Sequence, residues 1–202
     1  MDADFPAAHS MDTEWFAVDQ DGQVALFVSG ADGSVPDGAP AADLGEILRT
    51  LGGSETAIEL FPELARLGLH VYEVASYFFS GPYRRTHRPP GPLHVDQLPP
   101  RLRQQAKIVR FDGLRFEEKE LLQPCDYTAC SANEVAYLAE DGKTIRPVPG
   151  REKEYRRAIA YLRQRHPEQC RKYCFEGTRS LSAILMNWWG RVKGLPSSGG
   201  RA

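Results

Sequence analysis

No stretch of the chain approaches the roughly 20 consecutive apolar residues that a membrane-spanning helix needs, so no membrane partner is expected. The start, Met1-Asp2-Ala3-Asp4, is acidic and lacks the basic segment and apolar run of a secretory signal. Cysteine is sparse: four residues could close two disulfides, but without an export signal reduced thiols in a cytoplasmic setting are expected. Catalytic signatures are missing too. There is no Gly-x-Ser-x-Gly elbow, no Gly-x-x-x-x-Gly-Lys phosphate loop and no Gly-x-Gly-x-x-Gly fingerprint. A cysteine nucleophile needs a base within reach, and none of His70, His87, His94 or His166 stands in a recognisable context for that role.

What is present is ordinary for a globular protein, 42% hydrophobic and 26% charged, which excludes a mainly disordered, fibrous or coiled-coil chain. Fifteen prolines and eighteen glycines cut the 202 residues into short pieces and argue against a simple helical bundle. The net charge of −2 hides a steep asymmetry, because residues 1–63 hold thirteen acidic side chains and one base, Arg49. The two parts either attract one another within the fold or offer a charged face to a partner.

Trp15–Val18 and Val24–Val28 flank Asp21-Gly22 and predict a β-hairpin closed by a type I′ turn. Residues 30–42 read as a loop. Asp43 is placed to cap a helix that ends at Gly52-Gly53, and a second helix is predicted over Glu55–Leu67, with Pro62 early in it. From Leu69 to Phe79 the pattern is that of a mostly buried strand. Pro99-Pro100 opens a short helix through Lys107. Asp112-Gly113 and Asp141-Gly142 signal two more hairpins, 108–116 and 135–148. Arg151 to Arg165 has the stripe of an amphipathic helix, Tyr155, Ala158, Ile159 and Leu162. The expected fold is α+β: an antiparallel or mixed sheet built from hairpins, packed with helices, plus a C-terminal amphipathic helix near 178–189. Punctuation suggests a flexible leader over 1–11, one α+β domain over 12–166, a helical extension over 167–193 and a disordered tail over 194–202.

Three constellations carry candidate chemistry. His166, Cys170 and Cys174 fall four residues apart, so one helix would stack them along a face as zinc ligands, with Cys125 or Cys130 as a fourth; Pro167 interrupts that helix, and the alternative is no cofactor at all. Arg84, Arg85 and Arg88 lie beside Tyr77, Phe78, Phe79 and Tyr83, and residues 151–193 hold eleven bases among aromatics. Guanidinium groups pair with phosphates and aromatic faces stack on bases, which points to single-stranded nucleic acid. A sequence pI near 6.2 is low for a dedicated nucleic-acid binder. The acidic N-terminal third, represented by Asp19, Asp21 and Asp32, suits the cationic cleft of another protein. Trp188 and Trp189 would add an adhesive surface on the tail helix.

The segment from Asp12 to Phe27, DTEWFAVDQDGQVALF, resembles the opening of a group of uncharacterised bacterial proteins with a WFAVDxDGxVAxF start. Arg146-Pro147-Val148-Pro149-Gly150 resembles their RPVPG element before a helix, and the likeness covers about residues 12–165. That group brings no established activity and transfers no catalytic residue. In size, class and charge the chain is also broadly similar to immunity proteins of polymorphic toxin systems, including the SUKH group, an analogy of architecture. The leading expectation is a non-enzymatic, cytoplasmic bacterial protein that binds another protein, such as a toxin that it neutralises. Nucleic-acid binding or a zinc site at the tail are the alternatives.

Overall fold

The alternation of Trp15, Ala17 and Asp19 with Phe16 and Val18 builds the first strand, β1 (Glu14–Asp19), and sends two sets of side chains to opposite faces. A computed structural model describes residues 13–30, 33–54, 59–75, 81–131, 136–141 and 144–165. β1 pairs antiparallel with β2 (Val24–Val28), as the hairpin pattern predicts. The turn differs from the expected type I′. Gly22 donates to the Asp19 carbonyl and Asp19 to the Gln23 carbonyl, with Gly22 at φ +82°. The loop is therefore three residues long, a turn followed by a left-handed glycine. A Cβ at Gly22 would also fall on the His94 ring, so close approach as well as φ demands glycine there.

After β3 (Val35–Pro36), helix α1 spans Leu44–Leu51. Asp43 Oδ1 accepts the Glu46 N–H at 2.9 Å, and Gly52 closes the helix at φ +75°, as the sequence implies. Helix α2 (Leu60–Arg66) accommodates Pro62 in its first turn, where an N–H has no intrahelical acceptor. β4 (His70–Val74) then returns parallel to β2, and β5 (Tyr83–His87) runs antiparallel to β4.

Helix α3 (Pro100–Ile108) leads to β6 (Arg110–Phe111), which pairs parallel with β1. The hairpin expected across Asp112-Gly113 does not form. Its second arm is taken instead by the β1–β2 loop, with Leu114 accepting from Gln20 N–H and Phe116 N–H reaching Asp19. β7 (Leu121–Leu122) completes a six-stranded mixed sheet in the order β6-β1-β2-β4-β5-β7. β8 (Cys130–Ser131) pairs with β3, and β9 (Ala136–Leu138) with β10 (Ile145–Pro147), the last of the expected hairpin pairings. The α+β class follows.

The sheet separates two cores. Phe16, Val18, Leu26 and Val71 pack with Ile47, Leu64 and Leu102 on the helical side. Trp15, Phe27, Tyr72, Tyr83, Phe111 and Phe116 form an aromatic core on the other. Contacts divide the chain into two compact units after Glu152. The described part of the second, residues 153–165, belongs to α4 (Glu152–Arg165), whose less exposed stripe includes Tyr155, Ala158 and Ile159. The tail helix, with Trp188 and Trp189, lies outside the described residues.

Candidate functional site

The short helical turn Phe116–Glu118 is fixed from three sides. Asp19 is fully buried; its Oδ1 accepts from Asp21 N–H at 3.0 Å and Gln23 N–H at 2.8 Å, and its Oδ2 from Phe116 N–H at 2.9 Å. Burial pushes the Asp19 carboxyl above the usual range, against the pull of the three N–H groups. From the neighbouring strands, Tyr72 Oη donates to the carbonyls of Phe116 at 3.1 Å and Lys119 at 2.8 Å. Arg85 Nη1 donates to the carbonyls of Phe116 at 2.6 Å and Glu117 at 3.1 Å. Backbone donors and acceptors of one turn are thus satisfied by two buried side chains, on β1 and β4, and a half-buried one on β5.

This corrects two expectations. Asp19 is no part of an exposed acidic face, because its lone pairs hold the hairpin loop to residue 116. Arg85 is a backbone clamp, with a side chain only 12% exposed, rather than a phosphate ligand. Arg84 and Arg88 are exposed, but among acids: Arg88 pairs with Glu117 at 3.9 Å, and Arg84 lines a groove with Glu118 and Glu120. Asp21 is exposed and pairs with Arg115 at 3.0 Å. Asp32 lies outside the described residues, as do His166, Cys170 and Cys174. Among the described residues no group of three or more His, Cys, Asp or Glu side chains is placed to hold a metal ion. Likewise, no described helix is long and apolar enough to cross a membrane. The acidic third is partly met within the fold, through Arg115–Asp21 and Arg101–Glu46 at 3.1 Å.

The clamped turn presents its outer side to an open groove of about 500 Å³. The groove is lined by Glu118, Glu120, Glu140 and Asp141, with Arg84, Lys119 and Leu121. Lys119 Nζ meets Glu140 at 2.6 Å, and Tyr127 Oη donates to Glu140 at 2.7 Å, so one wall is held firmly. Glu118 and Glu120 are 67% and 61% exposed; the Arg115–Glu118 pair at 3.3 Å lies in water, whereas Glu120 meets the largely buried Arg85 at 3.2 Å. Exposed pairs of this kind contribute only about 0–1 kcal/mol. An incoming cation therefore displaces Arg115 from Glu118 at little cost. Four carboxylates against two bases leave the groove acidic. The sequence carries a signal for it in Glu117-Glu118-Lys119-Glu120, but nothing local brings Glu140 and Asp141 opposite.

Behind the turn lies His70, fully buried on β4. Its Nε2 meets Gln23 Oε1 at 2.9 Å, whereas its Nδ1 has no hydrogen-bond partner among the described residues. Burial, and then the charges of Arg85 and Arg88, push it down to about 4. The unfolded chain takes up this proton near pH 6.5 and the folded protein only near pH 4, so stability falls as the pH drops through that window. The expected loss is about 3 kcal/mol. Asp19 acts with the opposite sign, since its raised pKa lets the folded state bind a proton more readily than the unfolded one. Urea titrations across this range should show the decline in the wild type and a flatter profile in His70→Gln. Parallel profiles would remove His70 as its source.

The fold and groove define an α+β protein with a mixed sheet and an acidic surface site. No protein-family model matches the chain, and neither does any curated protein or solved structure.

Proposed function

We propose that the protein is a non-enzymatic binding module whose acidic groove takes a basic segment of another protein, as an immunity protein occupies the cationic cleft of a toxin. The observation that carries this reading is the open groove itself: exposed carboxylates on a turn held rigid from behind by Asp19, Tyr72 and Arg85. A rigid wall reduces the ordering cost of association. Complementary charge steers the encounter and makes it sensitive to salt. The partner surface moves accordingly, from the N-terminal acids to residues 118–120 and 140–141.

The test is capture of partners from the native lysate, with and without nuclease, by the wild type and by Glu118→Lys/Glu120→Lys. The expected result is a stoichiometric protein with a basic surface that survives nuclease. The double reversal should weaken its binding at least about tenfold, roughly 1.4 kcal/mol, and most strongly at low salt. Binding that is indifferent to the reversal overturns the reading. Captured nucleic acid that disappears with nuclease would favour the arginine surface instead.

A further inference from the structure

The groove lies along an edge of the six-stranded sheet. β7 is the last strand in the order, paired on one side with β5. The Arg85 N–H donates to the Glu120 carbonyl at 2.9 Å, and the register continues through Arg84–Leu121 to Tyr83–Leu122. Bonded and non-bonded pairs alternate along an antiparallel ladder. Arg84 and Leu121 therefore form a non-bonded pair, and the Leu121 N–H and C=O point away from β5, on the side where Leu121 lines the groove. Neither group has a hydrogen-bond partner among the described residues.

The open edge is short because the backbone on either side is engaged. The Lys119 N–H donates to the Phe116 carbonyl at 3.2 Å, and its carbonyl accepts from Tyr72 Oη at 2.8 Å. The Gln123 carbonyl accepts from the Asp126 N–H at 3.0 Å. Between them Leu121 offers one donor and one acceptor. An antiparallel partner returns both bonds from a single residue, whereas a parallel one spreads them over two.

The two faces of this edge differ. Leu122 belongs to the aromatic core, so Glu120 lies on that face, and Leu121 lies with Arg84 on the other. Glu140 stands on the aromatic side as well, since it accepts from Tyr127, whose ring meets Phe111 at 5.9 Å. A residue paired with Leu121 therefore sits beside Leu121 and Arg84, where an apolar side chain suits and a base is repelled. Its two neighbours point toward Glu120 and Glu140, where bases suit. An unpaired edge is a template for another strand. A second copy of this edge would set acid against acid, so the complementary occupant is basic.

We propose that the groove takes its basic segment as an added antiparallel β-strand, in which one apolar residue of a basic-apolar-basic sequence pairs with the Leu121 backbone. This rests on the reading of the groove as the site for a basic segment of another protein, and adds how that segment is held: main-chain bonds at Leu121, alternate side chains on the carboxylates.

The test uses the full-length protein and the synthetic peptide Lys-Val-Lys-Val-Lys-Val-Lys, capped at both ends, followed by fluorescence anisotropy and amide-resolved hydrogen exchange. With the peptide bound, the Leu121 amide should exchange at least about tenfold more slowly. The Leu122 amide, in a bonded pair with Tyr83 already, should change little. Two N-methylated isomers of equal charge, matched in the number of methyls, separate backbone pairing from charge. Methyls on the valine nitrogens remove the donor that faces Leu121 and should weaken binding at least about tenfold. Methyls on the backbone nitrogens of the lysines point away from β7 and should not. Binding that is lost in Glu118→Lys/Glu120→Lys, yet leaves Leu121 unprotected and accepts both isomers alike, overturns the added strand and leaves the groove reading in place. Equal binding by the wild type and the double reversal overturns both. If the peptide does not bind at all, the added strand is overturned, and capture from the lysate decides the groove reading by itself.

Discussion

Replacing Phe27 with alanine is expected to destabilise the protein by roughly 4 kcal/mol or more, the upper part of the range for deleting a buried aromatic ring. Phe27 is fully buried between two neighbours in register, Trp15 on β1 and Tyr72 on β4. Side chains directly opposite on adjacent strands lie close enough for rings to stack. The observed centroid separations are 4.2 Å to Trp15 and 4.9 Å to Tyr72, each with planes 10° apart. Tyr83 and Phe116 meet the Phe27 ring edge-on, at 5.2 and 6.0 Å. Each such pair adds about 0.5–1.5 kcal/mol beyond buried area. Alanine removes the middle of the stack, and rings fixed on separate strands cannot collapse into the space. Phe27→Leu, which fills most of the volume but stacks with neither ring, should cost about half as much. Urea unfolding followed by circular dichroism measures both. An alanine cost near 1 kcal/mol would mean that the sheet does not hold these rings in register.

The sequence made the local half of this arrangement visible. Alternation placed Trp15 and Phe27 on their strands, Asp21-Gly22 joined those strands, and Asp43 marked the start of α1, because each signal is complete within a few residues. The other half depends on pairings across long separations. Phe27 meets Tyr72 only because two helices intervene before β4 returns parallel to β2. Strand periodicity says which residues share a face, but not which strand lies alongside. The same limit explains the missing hairpin at 108–116. Asp112-Gly113 is a sound turn signal, and the chain does turn there, yet β6 and the returning segment each find a better partner in β1 and its loop. The groove is of this kind as well, since Arg84, residues 118–121 and residues 140–141 converge only once the sheet is assembled. One further signal is local to β1. Asp19 continues the inward series Trp15, Ala17, and a carboxylate on a core-facing position is a buried hydrogen-bond acceptor before it is a surface charge.

Asp19→Ala is accordingly expected to cost about 3–5 kcal/mol, although it removes no apolar contact. Each buried N–H left without an acceptor costs about 1–3 kcal/mol. Asp19 serves three, the most remote in sequence being that of Phe116. Water can reach the loop at Asp21, which is exposed, so that N–H contributes least. Phe116 is fully buried, and its N–H contributes most. Asp19→Asn separates shape from charge. Its amide oxygen can still accept from Asp21 and Gln23, but its NH2 then faces the Phe116 N–H donor to donor. An intermediate loss is expected, concentrated on the turn at 116–118. Hydrogen exchange should locate it there, with the Phe116 amide losing protection before the amides of β2. If the groove is the binding surface, partner affinity per folded molecule falls in Asp19→Asn through loosening of the turn, while Glu118→Lys/Glu120→Lys weakens binding with stability nearly unchanged. Equal stability losses in the two variants would contradict the assignment of Asp19 as the structural carboxylate and of Glu118 and Glu120 as the exposed ones.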